Sequence, residues 1–472
     1  MKLLLILTVI YSMTASADFK RARDIYNMKN VTNKNETISY ELYRSKYFFS
    51  STIFALRHIK KKNKLDERFS VHLEKLINKT GPLTFYKLIQ TKRGEHNSGY
   101  QFLNGYFNYL LKNDNKSILA MKNVQESSLL KSESEYILGS SKIRIGKDQE
   151  ALINFKKCQN ISLTKTEENK KKSSFRYYKN LQEMCLINQA RIMYKQKKYQ
   201  EAINIYNKID PRSYRWPYTI LEKAWCYFQL QKYNRVLGLL TSYKSPLLQS
   251  YFNPESEYLT ALSYYKLCHY NDSKKQIDNY FKIYKKESDR IKNIFLKKKK
   301  SLVFFFNFML KPIKEFDHIS PFMRIMMTQV RKSVRFNLEL HYFKMLSAEL
   351  DSLKKDKKNK FNKYLIKRIS KTLNIRVKYF NHFIKKKIFS YLNGIHRYSY
   401  ELFNLKLNVL TKSRELIEKR LETKLDSRFR GNKKFVEQEK DEKYWTFNNE
   451  FWADELGSYS FALNNNCLEG KK

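Results

Sequence analysis

The chain has 472 residues, room for two or three domains or for one extended solenoid. Only 11 Gly and 7 Pro interrupt it, and none of the prolines lies beyond Pro321. That scarcity excludes turn-rich barrels and sandwiches and points to an all-α fold. The formal net charge of +48 excludes an acidic, solvating chain. It leaves two readings open: a lysine-inflated surface inherited from an AT-rich genome, or a surface selected to bind polyanions such as envelope glycan, acidic lipid or nucleic acid.

The first element, residues 1–17, reads as a signal peptide. Lys2 supplies the positive end, Leu3 to Met13 form an apolar run too short to span a bilayer, and Ala15-Ser16-Ala17 match the small-x-small cleavage pattern. The mature chain is then expected to begin at Asp18, to be periplasmic or secreted, and not to span a membrane. Residues 18–97 carry apolar positions at helical spacing without a clean frame, as diverged hairpins capping a repeat array would.

Residues 98–286 hold an internal repeat. With Glu183 as position one, Ala190, Tyr199, Ala202 and Tyr206 recur 34 residues later as Ala224, Tyr233, Val236 and Leu240. A further 37 residues on they recur as Ala261, Tyr270, Ser273 and Ile277. Gly139, Ala151 and Phe155 occupy the same slots upstream, and Gly105 precedes Gly139 by 34 residues. Small residues at positions eight and twenty let two antiparallel helices cross closely, and the aromatic near seventeen plugs their turn.

The stretches Gln189–Tyr206 and Leu221–Leu240 resemble the tetratricopeptide repeat family. The runs Ser245–Asp272 and Tyr444–Phe461 are similar to secreted repeat proteins of gliding and predatory bacteria, some of them associated with adventurous gliding motility. The resemblance implies a tetratricopeptide-like α-solenoid acting as a scaffold for protein partners in a cell-envelope assembly. In such a superhelix the first helix of each repeat lines the concave wall. Here that wall is Arg191, Tyr194 and Lys195, then Leu221, Trp225, Phe228 and Gln229, then Tyr258, Tyr265 and Lys266. Aromatic and arginine side chains carry binding energy at interfaces, so this groove is the candidate partner site; equally, such aromatics pack between repeats.

Residues 287–443 form a long helical region. Leu346, Leu350, Leu353, Phe361, Leu365, Ile369, Leu373, Val377, Phe380 and Ile384, then Leu402, Leu405, Val409, Leu416 and Leu421, run at three- and four-residue steps. The spacing predicts a long helical hairpin with a coiled-coil-like seam and its turn near Gly394. The lysine runs at Lys354-Lys355, Lys357-Lys358 and Lys385–Lys387 read as solvated faces. Leu425–Asn432 resembles the peptide encoded by mobile palindromic repeats, with an ordinary helix-ending loop as the equal alternative. Residues 444–472 close the chain as an aromatic segment.

No phosphate loop, dinucleotide fingerprint, zinc-protease or nucleophile-elbow spacing occurs, and the eight histidines lack ligand spacing. No catalysis, metal, cofactor or small-molecule substrate is expected. Of the five cysteines, Cys158 and Cys185 bracket about half a repeat of extra sequence, a polar insert around Ile161–Asn180 expected to be an exposed loop. A bridge between them would close that insert at its base, with the pairing of Cys226, Cys268 and Cys467 left open.

Overall fold

A single helix–turn–helix geometry recurs along the computed structural model, which describes residues 18–61, 65–89, 97–170, 174–248, 251, 253–312, 321–418 and 445–467. Its six instances among the described residues are α1 (Lys34–Arg44) with α2 (Phe48–Lys61); α4 (Ser98–Leu110) with α5 (Asp114–Lys122), which follows α3 (Glu67–Thr80); and α6 (Lys131–Arg144) with α7 (Asp148–Glu168). Then come α8 (Phe175–Lys195) with α9 (Tyr199–Tyr206), α10 (Trp216–Gln229) with α11 (Tyr233–Thr241), and α12 (Pro254–Lys266) with α13 (Tyr270–Tyr280). In each, the residue two beyond the first helix is left-handed: Lys46, Lys112, Gly146, Lys197, Gln231 and Cys268. The next amide donates back to a carbonyl five residues earlier, at 2.8–2.9 Å every time, from Tyr47 to Leu42 through to His269 to Tyr264. This is the helix C-cap that satisfies otherwise orphaned carbonyls.

The crossing points are built from small side chains. Ser39, Ala190, Ala224 and Ala261 in first helices, and Ser51, Ser117, Ala151, Ala202 and Ser273 in second helices, are all fully buried. Three of the serines also donate across the crossing: Ser51 Oγ to the Ser39 carbonyl at 2.6 Å, Ser117 to Gly105 at 2.9 Å and Ser273 to Ala261 at 2.8 Å. At Gly105 a β-carbon would sit 2.7 Å from Met121 Cγ, so any larger residue requires the buried Met121 side chain to shift.

The chain divides into two compact units: residues up to Ile192 with Leu338–Val377, and Met193–Asn337 with residues from Lys378 onward. In the first unit, α17 (Val334–Lys354) and the start of α18 (Lys360–Glu418) return to the N-terminal hairpin. Leu346, Leu350, Leu353, Phe361, Leu365 and Ile369 share one core with Ala22, Ile25, Ile38, Leu42, Phe49 and Phe54. Glu349 caps α2, accepting the Phe49 and Ser50 amides at 3.0 and 2.6 Å, while burial pushes its carboxyl up to about 7. Arg376 meets Glu339 at 3.1 Å and donates to Thr84 Oγ1 at 2.8 Å, tying α18 to α17 and to the turn after α3.

In the second unit, α13 passes through a π-turn at Phe281–Lys285 into α14 (Lys286–Lys297), followed by α15 (Phe304–Leu310) and α16 (Pro321–Lys332). The apolar run 302–310 is explained by packing: Phe305, Phe306 and Met309 are buried, with Phe305 on Phe389 and Phe306 on Phe380 of α18. No described helix is long and apolar enough to cross a membrane. The aromatic tail forms a strap: β1 (Trp445–Thr446) pairs in parallel with β2 (Tyr459–Ser460), and the strap lies along α11. Asn234 exchanges hydrogen bonds with the Leu463 backbone at 3.0 and 3.1 Å and accepts the Phe461 amide at 3.0 Å. A β-carbon at Gly238 would lie 2.1 Å from the Tyr459 carbonyl oxygen, so only glycine lets the strap seat.

Two expectations are corrected here. The long hairpin turns at residues 355–359, not at Gly394, and α18 runs unbroken for 59 residues. Ile384, Ile388, Leu392, Ile395, Leu402 and Val409 keep one buried stripe in phase through Gly394, and that burial outweighs the roughly 1 kcal/mol helix penalty of glycine. The insert around Ile161–Asn180 is mostly helical: α7 and α8 are 21 residues each, and Ser162 and Thr166 are buried. Its inner face is serine and threonine, so an apolar pattern could not reveal it. Within the long helical region, residues 338–377 share a compact unit with the N-terminal hairpin. The expected signal peptide, Leu421 and the Leu425–Asn432 segment lie outside the described residues.

Candidate functional site

The groove residues come from α8, α10 and α12, and in the last turns of these helices the repeat imposes a second regularity. The aromatic one residue before each helix end packs edge-on or tilted against the first residue of the next helix. Tyr194 meets Tyr199 at 5.3 Å, Phe228 meets Tyr233 at 5.3 Å and Tyr265 meets Tyr270 at 5.7 Å; Tyr43 and Phe48 repeat the pair at 5.1 Å in the first hairpin. Tyr194, Phe228 and Tyr265 therefore each plug a turn and stay half-buried.

Trp225 stacks edge-on against Phe228 at 5.6 Å and donates Nε1 to Glu255 of the next repeat at 2.8 Å. Gln229 donates to the Tyr194 hydroxyl at 3.4 Å. Lys195, Gln229 and Lys266 are exposed, while Leu221 is buried and offers a partner nothing. Arg191 is exposed on the part of α8 that belongs to the first unit.

The chain itself fills the far end of the groove. Tyr398 of α18 lies against Tyr258 at 5.8 Å and hydrogen-bonds Glu255, which thus serves both Trp225 and Tyr398. Further along, Tyr391 bonds Tyr218, the Tyr280 hydroxyl donates to the Ile395 carbonyl at 2.9 Å, and Lys406 pairs with Asp278 at 2.6 Å. Tyr258 is covered by its own chain. The stretch from Tyr194 and Lys195 to Phe228 and Gln229 remains presented, as does Lys266.

Beside this contact a cavity of about 280 Å³ is lined by Tyr243, Lys244, Tyr251, Glu257, Thr260 and Tyr284, with an adjoining hollow of about 80 Å³ reaching Tyr218 and Tyr391. Burial pushes the Glu257 carboxyl upward, opposed by Lys244 and by the hydrogen bond from Gln276. These residues are dispersed in sequence and only the return of α18 brings Tyr391 to them, so no local pattern marked the site.

The described residues contain no group of three side chains able to hold a metal ion. Cys158 and Cys185 are bridged, with Cα atoms 6.2 Å apart and both residues fully buried. Cys268 and Cys467 form a second bridge at 5.3 Å, joining the α12–α13 turn to the strap. Cys226 is left free and buried, its thiol pushed up to about 12, which keeps it protonated and unreactive at neutral pH. No family model and no curated protein matches the chain.

Proposed function

We propose that the chain is a tetratricopeptide-type scaffold of the periplasm or exterior, holding a protein partner in the groove of its second unit as part of a cell-envelope assembly, and that it is not an enzyme. What carries the reading is the presented stretch Tyr194, Lys195, Phe228 and Gln229, where aromatic faces already immobilised by their turns stand beside exposed polar groups. Preorganised aromatics lose little conformational entropy on binding, which is the quality of an interface hot spot. Two disulfides fit a chain matured under oxidising conditions. A motility role rests on the family resemblance alone.

The test is a crosslinking capture from the native envelope, run in parallel with wild-type chain and with a Lys195→Glu, Gln229→Ala, Lys266→Glu variant. All three positions are exposed, so far-ultraviolet circular dichroism should be unchanged. The expected outcome is loss of at least tenfold in the specifically captured partner. Equal capture by both proteins would move the partner site off this groove.

A further inference from the structure

Between Asp356 and Glu401 the chain runs 44 residues with 13 lysines and arginines and no acidic residue. At the chain's mean content of 45 acidic residues in 472, about four would be expected in that length. A drift toward lysine raises cations everywhere; it does not remove carboxylates from one segment.

The first unit arranges part of this segment into a line. On α18, Lys360, Lys363, Lys367 and Lys371 fall within an arc of about 80° and span about 17 Å at helical pitch. All four are exposed, and among the described residues none of them has an ion-pair partner. The turn before them adds Lys354, Lys355, Lys357 and Lys358, also exposed, against two acids, Asp351 and Asp356, which are engaged by Lys354 at 3.4 Å and Arg23 at 3.6 Å. The placement is unfavourable for an isolated helix. The first turn of α18 holds no acidic residue, so Lys360 and Lys363 sit at the positive end of the macrodipole, where anions belong. A bound anion would relieve both the mutual repulsion and the dipole.

We propose that this lysine line binds a linear anionic glycan. Lysine supplies point charges without the planar fork that reads bases or clamps single phosphates. The neighbouring aromatic, Tyr364, has its ring under the Arg57 and Arg368 guanidinium groups at 4.5 and 5.6 Å and its hydroxyl buried, so it offers no platform for stacking a base. On this stretch of α18 the one large apolar residue strongly exposed is Ile375, too little to anchor in a bilayer. The choice of glycan over nucleic acid rests on the extracytoplasmic reading above; the line itself does not.

The test titrates a heparin octasaccharide against the full chain over a salt series, beside a 20-base-pair DNA duplex and phosphatidylserine vesicles. One variant carries Lys360→Gln, Lys363→Gln, Lys367→Gln and Lys371→Gln. A charge-matched control carries Lys274→Gln, Lys275→Gln, Lys282→Gln and Lys286→Gln, all exposed in the second unit. The line variant is expected to bind the octasaccharide at least 30-fold more weakly and to lose about three from the slope of log K against log salt, with the control within twofold of wild type. Equal weakening by both variants would reduce the effect to bulk charge and overturn the site. Tighter line-dependent binding to duplex or vesicles than to the octasaccharide would overturn the glycan while leaving the groove proposal untouched.

Discussion

The Cys158–Cys185 bridge joins α7 and α8, consecutive in the chain and 27 residues apart at the cysteines, whereas Cys268–Cys467 ties residues 199 apart. The first sits fully buried; the second has Cys467 exposed at the end of a strap. A repeat array is held by neighbour-to-neighbour packing and has few contacts between distant residues. The buried bridge reinforces what the array already does. The strap bridge supplies a long-range connection that hairpin packing does not generate.

Replacing Cys268 and Cys467 by Ser is expected to have the largest effect, up to about 5 kcal/mol of unfolding free energy in the chain-entropy model for so long a loop. Urea unfolding of the second unit's signal measures it. A loss under about 1 kcal/mol would mean that the Asn234 contacts, with Arg235 donating to the Ser458 and Tyr459 carbonyls at 3.2 Å, hold the strap unaided. The Cys158–Cys185 bridge closes a shorter loop of 27 residues, so replacing both by Ala is expected to cost about 3.5 kcal/mol by the same relation. If this variant loses more than the strap variant, the contrast between reinforcing and connecting bridges is reversed. Gly238→Ala should cost about 2 kcal/mol by pressing a methyl into the Tyr459 carbonyl with both bridges intact. Hydrogen exchange should show lost protection at Phe461 and Leu463, whose amides bond to Asn234. Unchanged protection there would show that the strap adapts without leaving α11.

The repeat frame was legible because Ala190, Ala224 and Ala261 mark crossings that tolerate only small side chains. The first hairpin, expected only as a diverged cap without a clean frame, has the same architecture. Its crossing uses Ser39 and Ser51, and its left-handed turn residue is Lys46, as Lys112, Lys197, Gln231 and Cys268 are elsewhere. Backbone hydrogen bonds enforce that turn whatever the side chain, so a search for glycine does not find it. The insert around Ile161–Asn180 has a loop-like pattern because the side chains it buries on α7, Ser162 and Thr166, are polar. Gly394 was read as a turn because the sequence shows the cost of glycine and not the packing that outweighs it. Of the groove, the aromatic positions were legible from the frame. Their double use as turn plugs, and the covering of Tyr258 by Tyr398, depend on contacts that no local spacing encodes.

The strap bridge also sets where force travels. Tension applied to the chain beyond Cys467 reaches Cys268 through a covalent bond and enters the array at the α12–α13 turn. Helices α13 to α18 lie within the closed loop and bear none of that load until the bridge is reduced. A scaffold pulled from that end would extend only the residues before Cys268, and breaking one disulfide would release the slack stored in the 199-residue loop.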